Sequence, residues 1–486
     1  MEVGIMYRET IPPASPRLSQ YGVDPKYVVK RGAESEGMTS VSLKDLFLDM
    51  PKVIYPDSQG EKTIRQKTEA ALARINFSKI KSGNTVNILA SHHGFTFLGG
   101  QPYAEMLRTV KDFVERETPA KEVRLRAGLG MRFRETEEYI KAHGLDEYFK
   151  GKALGIAPID AGIPIETCLG TLYGLRRAYD ADVIIHAHNS DVREVHFHRQ
   201  VDRAVKPFGM SYARAETRST YHMNMGPRAA NFVARAIFDS DFVQNKYGFS
   251  IFMIMSPAGV VNIDADNDLY ALNDRVTVGG MKHYGKIINL LGEIDECIVI
   301  LDFPCPVPYV FAAGVIYANM VGANIDLFDL DNPLPPYTWY TETFYNDRGQ
   351  PLIPDIPPVN PAIKMVVHNY AWTGYPATFF AEHTPTIMVG REQAELFNRD
   401  PMNLNYMKHA LLAENLDAAM EFAYRTTKTD KVIIFDGATG GVNVSRPLAS
   451  HLLKVAPQVN ERVDKTLMPK WLAQRNINLE LLNQVA

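Results

Sequence analysis

The chain has 486 residues, too many for one compact core, so two domains are expected. With 46% hydrophobic and 22% charged residues it has the composition of a folded globular protein, which excludes wholesale disorder. A net charge of -4 gives no electrostatic case for nucleic acid or an anionic membrane as a partner.

The opening run MEVGIMYRETIPPASPR lacks a basic segment followed by an apolar one, so no signal peptide is expected. The first ~60 residues are proline-rich and aperiodic. After them, short β-branched runs alternate with helical patterns. In chain order the expected strands are Thr85–Ala90, Val123–Ala127, Val183–Ala187, Ser250–Met255, Cys297–Leu301, Ile363–Val367, Thr386–Val389 and Lys431–Phe435. Between them, Pro102–Arg116 repeats Met106, Leu107, Val110, Phe113 and Val114 at helical spacing, and Leu416–Arg425 does the same. This alternation predicts an α/β fold with mainly parallel sheets. Tyr309–Ile325, interrupted by Asn319, falls short of the roughly 20 residues of a membrane span and reads as a buried helix. Asn332–Pro361 reads as a long aromatic loop. Cys168, Cys297 and Cys305 form no CxxC pair, which fits a reducing, cytoplasmic setting.

The densest chemistry lies in the first half. His186, His188, His196 and His198 are crowded together, and eight of the 13 histidines fall between His92 and His222 inclusive. Imidazoles are the usual ligands of borderline transition metals and the usual proton carriers near neutral pH. His186 and His188 alternate at a strand end and so point to one face. They read either as a metal pair or proton relay, or as two neutral histidines bonded at a sheet edge. Lys206 reads as a covalent attachment point or as a surface lysine. His92-His93-Gly94 follows a strand and supplies a base, a phosphate contact or simply a turn. Gly437–Gly441 offers backbone N–H groups to a phosphate, without the GK[ST] of a Walker A loop. Trp372 walls a pocket or fills a core. Asp264, Asp266 and Asp268 alternate like metal ligands but lack the glycine and glutamate of an EF-hand, so they read as a solvated turn.

In open α/β sheets, ligands bind beyond the carboxyl ends of the strands. Ser91-His92-His93, His188-Asn189-Ser190 and Asp436–Gly441 all follow expected strands, so they are expected at one cleft.

From about residue 83 to 445 the chain resembles the nickel-dependent lactate racemase family. His196, then Lys206 ten residues on, then His222 sixteen further, stand at the spacing of that family's catalytic histidine, cofactor lysine and metal-binding histidine. The run from His383 through Leu416 to Lys431-Val-Ile-Ile-Phe-Asp-Gly is similar to the family's closing strand, helix and strand. Trp372 matches a tryptophan lining its substrate pocket.

The resemblance implies a nickel-pincer nucleotide, a pyridinium mononucleotide held through a thioamide to Lys206, with His222 as the protein's ligand to nickel. Gly437 and Gly440 would contact the cofactor. It implies that His196 takes the proton of a substrate hydroxyl as hydride passes from the α-carbon to the cofactor. It also implies dependence on separate cofactor-biosynthesis proteins.

The chain departs from the family at four places. Gly128–Arg134 carries no histidine where the family has its second base. Ser91–Thr96 lacks the family's arginine. Gln200–Val205 replaces a glycine-rich stretch. Phe311 and Gly314 stand where a substrate-binding glutamine and lysine are found. Two explanations are open: either His92 or His93 supplies the second base and Arg132 or Arg134 the carboxylate contact, with His188 also facing substrate, or one base is gone and two-sided racemisation goes with it. The departures point to an α-hydroxy acid other than lactate.

The expected organisation is an N-terminal domain, residues 1–275, onto which residues 430–486 pack back, and a C-terminal α/β domain, 276–429. The active cleft is expected between them, closing over the cofactor, with Trp372 on its far wall. The alternatives are a zinc-type hydrolase or lyase using His186, His188 and His222, with Asp436 as a candidate acid, and a non-catalytic binding protein on the same scaffold.

Overall fold

The structure is a computed structural model, and it describes residues 24–96, 98–128, 135–190, 203–220, 231–303, 320–331, 359–370, 378–400, 403 and 405–485. Its strands are β1 (Met38–Ser42), β2 (Thr85–Ser91), β3 (Glu122–Gly128), β4 (Ala153–Ile156), β5 (Gly162–Thr167), β6 (Gly170–Leu175), β7 (Val183–Asn189) and β8 (Tyr247–Ser256). They continue with β9 (Gly259–Asp266), β10 (Cys297–Asp302), β11 (Ile363–Tyr370), β12 (Thr386–Val389), β13 (Ala410–Ala413), β14 (Val432–Phe435) and β15 (Gly441–Ser445).

The fold is α/β with mainly parallel sheets. All eight strands read from the sequence are present as β2, β3, β7, β8, β10, β11, β12 and β14. They are legible because a central parallel strand is covered on both faces and so reads as an unbroken apolar run. β14, for example, is VIIF and wholly buried. The strands not foreseen are edges, hairpin arms or antiparallel additions. β13, at a sheet edge, leaves its two leucines half exposed and carries no such run.

The chain divides into two compact units, each built on one sheet. The first draws on Pro51–Val192, Gln200–Gly280 and Glu480–Ala486. Its six-stranded sheet runs β4-β3-β2-β7-β8-β9, parallel from β4 to β8, with β9 antiparallel to β8. Leu89, Ile184, Val205, Phe208, Tyr212, Ile237 and Phe252 are part of its buried core. Helix Gln101–Glu117, with the expected apolar repeat, belongs to this unit.

The second unit draws on Met1–Met50 and Met281–Leu479. Its seven-stranded sheet runs β1-β15-β14-β10-β11-β12-β13, parallel from β14 to β13. β15 is antiparallel to β14, and β1 to β15. Ile298, Ile300, Val367, Ile387, Met420 and Ile434 pack in its core.

This division differs from the expected one at both ends of the chain. β14 pairs along β10, and β15 and β1 extend the same sheet, so the final segment and the first fifty residues join the second unit. The cause is the burial of β14, which needs a ladder partner on each side. Only Glu480–Ala486 group with the first unit.

The expected solvated turn at Asp264–Asp268 is also corrected. Asp264 and Asp266 lie in β9, where each is ion-paired with Arg275. Of the three only Asp268 lies outside the strand, directly before helix Leu269–Gly292, where its carboxylate accepts the N–H groups of Tyr270 and Ala271. Of the expected buried helix at Tyr309–Ile325, residues 309–319 lie outside the described residues, and the described end is helical only at 320–321 and then turns; the aromatic loop Asn332–Pro361 lies outside them except for 359–361. No helix among the described residues is long and apolar enough to cross a membrane.

Candidate active site

The six-stranded sheet has a point where its strand order reverses. From β2 the chain builds β3 and β4 outward on one side, then returns to lay β7 against the other side of β2. Connections that leave two neighbouring strands in opposite directions open a crevice at their carboxyl ends. There lie Ser91-His92-His93, after β2, and His188-Asn189-Ser190, at the end of β7.

β2 and β7 are in register as far as Leu89 and His186. Beyond that pair the hydroxyl of Tyr103 takes over, accepting the N–H of Ser91 at 3.2 Å and donating to the carbonyl of Ala187 at 2.8 Å. Tyr103 is fully buried in the first turn of helix Gln101–Glu117, and burial holds its phenol well above the usual range. Gly94 makes this possible, because a Cβ there would stand 2.3 Å from the Tyr103 ring. The glycine of the His-His-Gly run thus serves packing.

Two histidines of the short helix His92–Phe95 and one of β7 form a file. The His92 and His93 rings are 4.2 Å apart, and His93 is 6.3 Å from His188. Ser91 caps the helix, its Oγ accepting the His93 N–H at 3.4 Å. His188 is buried, stacks on Phe252 of β8 and accepts the Asn189 N–H through Nδ1 at 2.7 Å. Groups at these distances can pass a proton through intervening water.

His186 shares the face of His188, with rings 5.8 Å apart, as the alternation predicts. Both its nitrogens are engaged, one to the carbonyl of Ala204 and one to the hydroxyl of Tyr212, each at 2.9 Å. Complete burial pushes its pKa down to about 3, so the ring is neutral. Of the two readings offered by the sequence, His186 takes the bonded, neutral one. In this arrangement its one lone pair is engaged by the Tyr212 hydroxyl, which removes one member of the zinc-type set. Among the described residues no three histidine, cysteine or carboxylate groups gather as a metal site.

Lys206 opens the turn Lys206–Gly209 and is buried. The segment from Ala204 to Tyr212 crosses the carboxyl ends of three strands. Ala204 is bonded to His186 of β7, Ser211 Oγ to Ser91 Oγ of β2 at 3.3 Å, and Tyr212 OH to the Leu89 carbonyl of β2 at 3.1 Å. At β3, Gly128 lies so close that a Cβ would come 2.2 Å from the carbonyl oxygen of Ser211. A little-exposed lysine in a segment at the carboxyl ends of the strands fits the covalent tether of a mononucleotide. His196, His222, Trp372, Arg132 and Arg134 lie outside the described residues.

Gly437 and Gly440 belong to the second unit, in the connection from β14 to β15. Both have positive φ, 80° and 75°. A Cβ on Gly437 would meet the Phe303 ring at 2.9 Å, and the carbonyl of Gly440 accepts the Leu43 N–H. Here too the strand order reverses, between β10 and β14. That crevice is filled by the chain itself. Gly32 presses between Ile300 and Ile434, its N–H donating to Asp302 Oδ2 at 2.7 Å, and Arg31 pairs with Asp302 Oδ1 at 3.1 Å. Burial pushes the Asp302 carboxyl up to about 6 against the pull of Arg31. Burial, with the Asp302 charge adding, pushes Asp436 up to about 7, although Asn443 donates to it at 2.6 Å. A separate cavity of about 910 Å³, lined in part by Lys30, Gly390, Arg391, Asn415 and Asp417, touches none of the described candidates.

Tyr103, Tyr212 and Ser211 were not found from the sequence. Their signal is positional only: each is an ordinary polar residue whose partner is a backbone or hydroxyl group far along the chain.

No protein-family model matches the chain, and no curated protein matches it. Among solved structures, the lactate racemase apoprotein from Thermoanaerobacterium thermosaccharolyticum is similar at 13% identity and a TM-score of 0.38, over 77% of this chain and 92% of that one. A structural-genomics protein from Thermotoga maritima is similar at 12% identity and a TM-score of 0.33, over 50% of this chain and 71% of that one. Both are loose likenesses.

Proposed function

We propose that the chain is a nickel-pincer-nucleotide racemase or epimerase acting on an α-hydroxy acid other than lactate. One observation carries the reading: Lys206, which stands in the His196–Lys206–His222 spacing, lies in a segment pinned across the carboxyl ends of β2, β3 and β7, the edge that also bears His92, His93 and His188. Lys206 holds the cofactor covalently and His222 ligates the nickel. When bound, the cofactor supplies the hydride acceptor for the α-carbon.

The chain's own residues do the rest. His196 takes the proton of the substrate hydroxyl on one side. His93 serves on the other, relayed by His92, in place of the base missing from Gly128–Arg134. Imidazoles suit both steps because they exchange a proton near neutral pH. Arg132 or Arg134 binds the substrate carboxylate as a bidentate pair, and Trp372 and His188 line the pocket. Gly437 and Gly440 contact the cofactor, and cofactor-biosynthesis proteins are its source.

The test is a chiral assay of α-hydroxy acids with protein co-produced with those biosynthetic enzymes. Loss of optical purity with the wild-type chain, absent from Lys206→Ala, is the expected result. Unchanged optical purity across the acids by fully loaded protein would end the proposal.

A further inference from the structure

His186, a member of the dense histidine run, has no part in the proposed reaction. His186 stands apart from the file of His92, His93 and His188 in what it bonds. It joins two points of the segment that carries Lys206: Ala204, two residues before the lysine, and Tyr212, six after it. We propose that His186 and Tyr212 are positioning residues that staple the Ala204–Tyr212 segment over the sheet edge and thereby fix where the Lys206 amine points. This rests on the reading of Lys206 as the cofactor's attachment point.

The hydrogen-bond chemistry of the staple is determined. A carbonyl oxygen only accepts, so the Nε2 facing Ala204 carries the ring's proton. Nδ1 is then a lone pair, and the Tyr212 hydroxyl donates to it. That hydroxyl has one proton and two acceptors, Nδ1 at 2.9 Å and the Leu89 carbonyl at 3.1 Å. With Nδ1 taking that proton, the staple ties the lysine segment to β7 through His186, and the Ser211 hydroxyl, 3.3 Å from that of Ser91, holds the same segment to β2. Around it, Phe208 and Phe252 pack on the imidazole with ring centroids 5.3 Å away, so water does not compete for these bonds. A histidine suits this place because a single planar ring presents one donor and one acceptor in opposite directions. Glutamine keeps a donor of similar reach to Nε2, and leucine keeps neither.

The consequence falls on tether formation. Thioamide formation is a redox-neutral condensation, in which the amine nitrogen bonds the thiocarboxyl carbon, the carbon–oxygen bond breaks and the oxygen leaves as water with one amine proton and the acid proton; it requires the nitrogen in line with that carbon, and misplacement by about 1 Å costs on the order of 10²-fold in rate. The experiment uses the full-length chain without cofactor, as wild type, His186→Leu, His186→Gln and Tyr212→Phe. Each is acylated with N-hydroxysuccinimide acetate from pH 7 to 10, and the labelling of Lys206 is measured by peptide mass spectrometry against exposed Lys150 as the internal reference. The expected result is a ratio changed about tenfold in His186→Leu, in line with that sensitivity, changed in the same direction in Tyr212→Phe, and returned toward wild type in His186→Gln. Melting temperature and circular dichroism on the same samples separate this from general loosening, which would alter both lysines. Should His186→Leu fail to fold, Tyr212→Phe and His186→Gln carry the test alone. A Lys206-to-Lys150 profile equal to wild type in every folded variant overturns the staple. Because the labelling needs no cofactor, failure of wild-type protein to acquire a nickel adduct would count against the reading of Lys206, while the labelling ratios would still decide for or against the staple.

Discussion

The ring of His93 stands 6.3 Å from that of His188, across the carboxyl ends of two adjacent parallel strands. One belongs to the turn after β2 and the other to the last residues of β7, so the pair marks the place where the strand order reverses. If His93 is the second acid–base group, the reaction depends on it, because Gly128–Arg134 holds no histidine to take its place. His93→Gln should lower turnover by about 10²–10⁴-fold, the usual worth of a positioned proton carrier. Mass and nickel content should stay at wild-type levels. A chiral assay on loaded protein reads the outcome, and wild-type turnover would remove His93 from the mechanism.

Gly128 is a tight contact between β3 and the lysine segment. Its added Cβ would sit 2.2 Å from the Ser211 carbonyl oxygen and 2.8 Å from its carbon, both backbone atoms that cannot rotate away. Gly128→Ala should destabilise the chain by about 1–3 kcal/mol, the cost of overpacking. Urea unfolding measures this, and an unchanged midpoint would mean that the segment does not lie on β3.

Arg31 is the charged partner of a carboxylate that is wholly buried at Asp302. Removing one partner of such a pair costs about 3–5 kcal/mol, because the other is left charged in the interior. Arg31→Ala should therefore be strongly destabilising, and Asp302→Asn in the same chain should recover part of the loss. A double-mutant cycle by urea unfolding gives the coupling, and additive effects would show that the segment at Arg31 and Gly32 is not held in its crevice by this pair.

Stability should depend on pH through buried imidazoles. His368, bonded through Nδ1 to the Tyr406 hydroxyl at 2.6 Å, is pushed down to about 3 by burial, from an ordinary 6.5. A depressed pKa means that the unfolded chain binds the proton first. The contribution is thus complete above 6.5 and is lost as pH falls from there toward 3. In His368→Gln the stability should fall less steeply over that window, by up to ~1.4 kcal/mol per pH unit. Parallel slopes for variant and wild type in urea titrations at about pH 7, 6 and 5 would contradict this.

The sequence made the central strands legible because TVNILA, VIIHA and KVIIF are continuous apolar runs of the kind only a doubly covered strand requires. It also placed the polar residues at strand ends correctly. His188 and Asn189 proved to be the last residues of β7 itself. What it could not give was topology. That β14 lies beside β10 is decided by pairing between residues more than a hundred positions apart. The roles of Tyr103 and Tyr212 are hidden for the same reason, since each acts through a hydroxyl on a distant backbone carbonyl. Gly94 and Gly128 read as features of chemical loops, and only the close approach of Tyr103 and Ser211 shows what they are for.

The measurement closest to the central claim is the intact mass and metal content of full-length protein co-produced with the pincer-cofactor biosynthetic enzymes. The account predicts a covalent adduct confined to the peptide containing Lys206, with about one nickel per chain as one tethered group demands, and its loss in Lys206→Ala. An unmodified Lys206 and no nickel, in protein made beside a control enzyme that does become loaded, would contradict it.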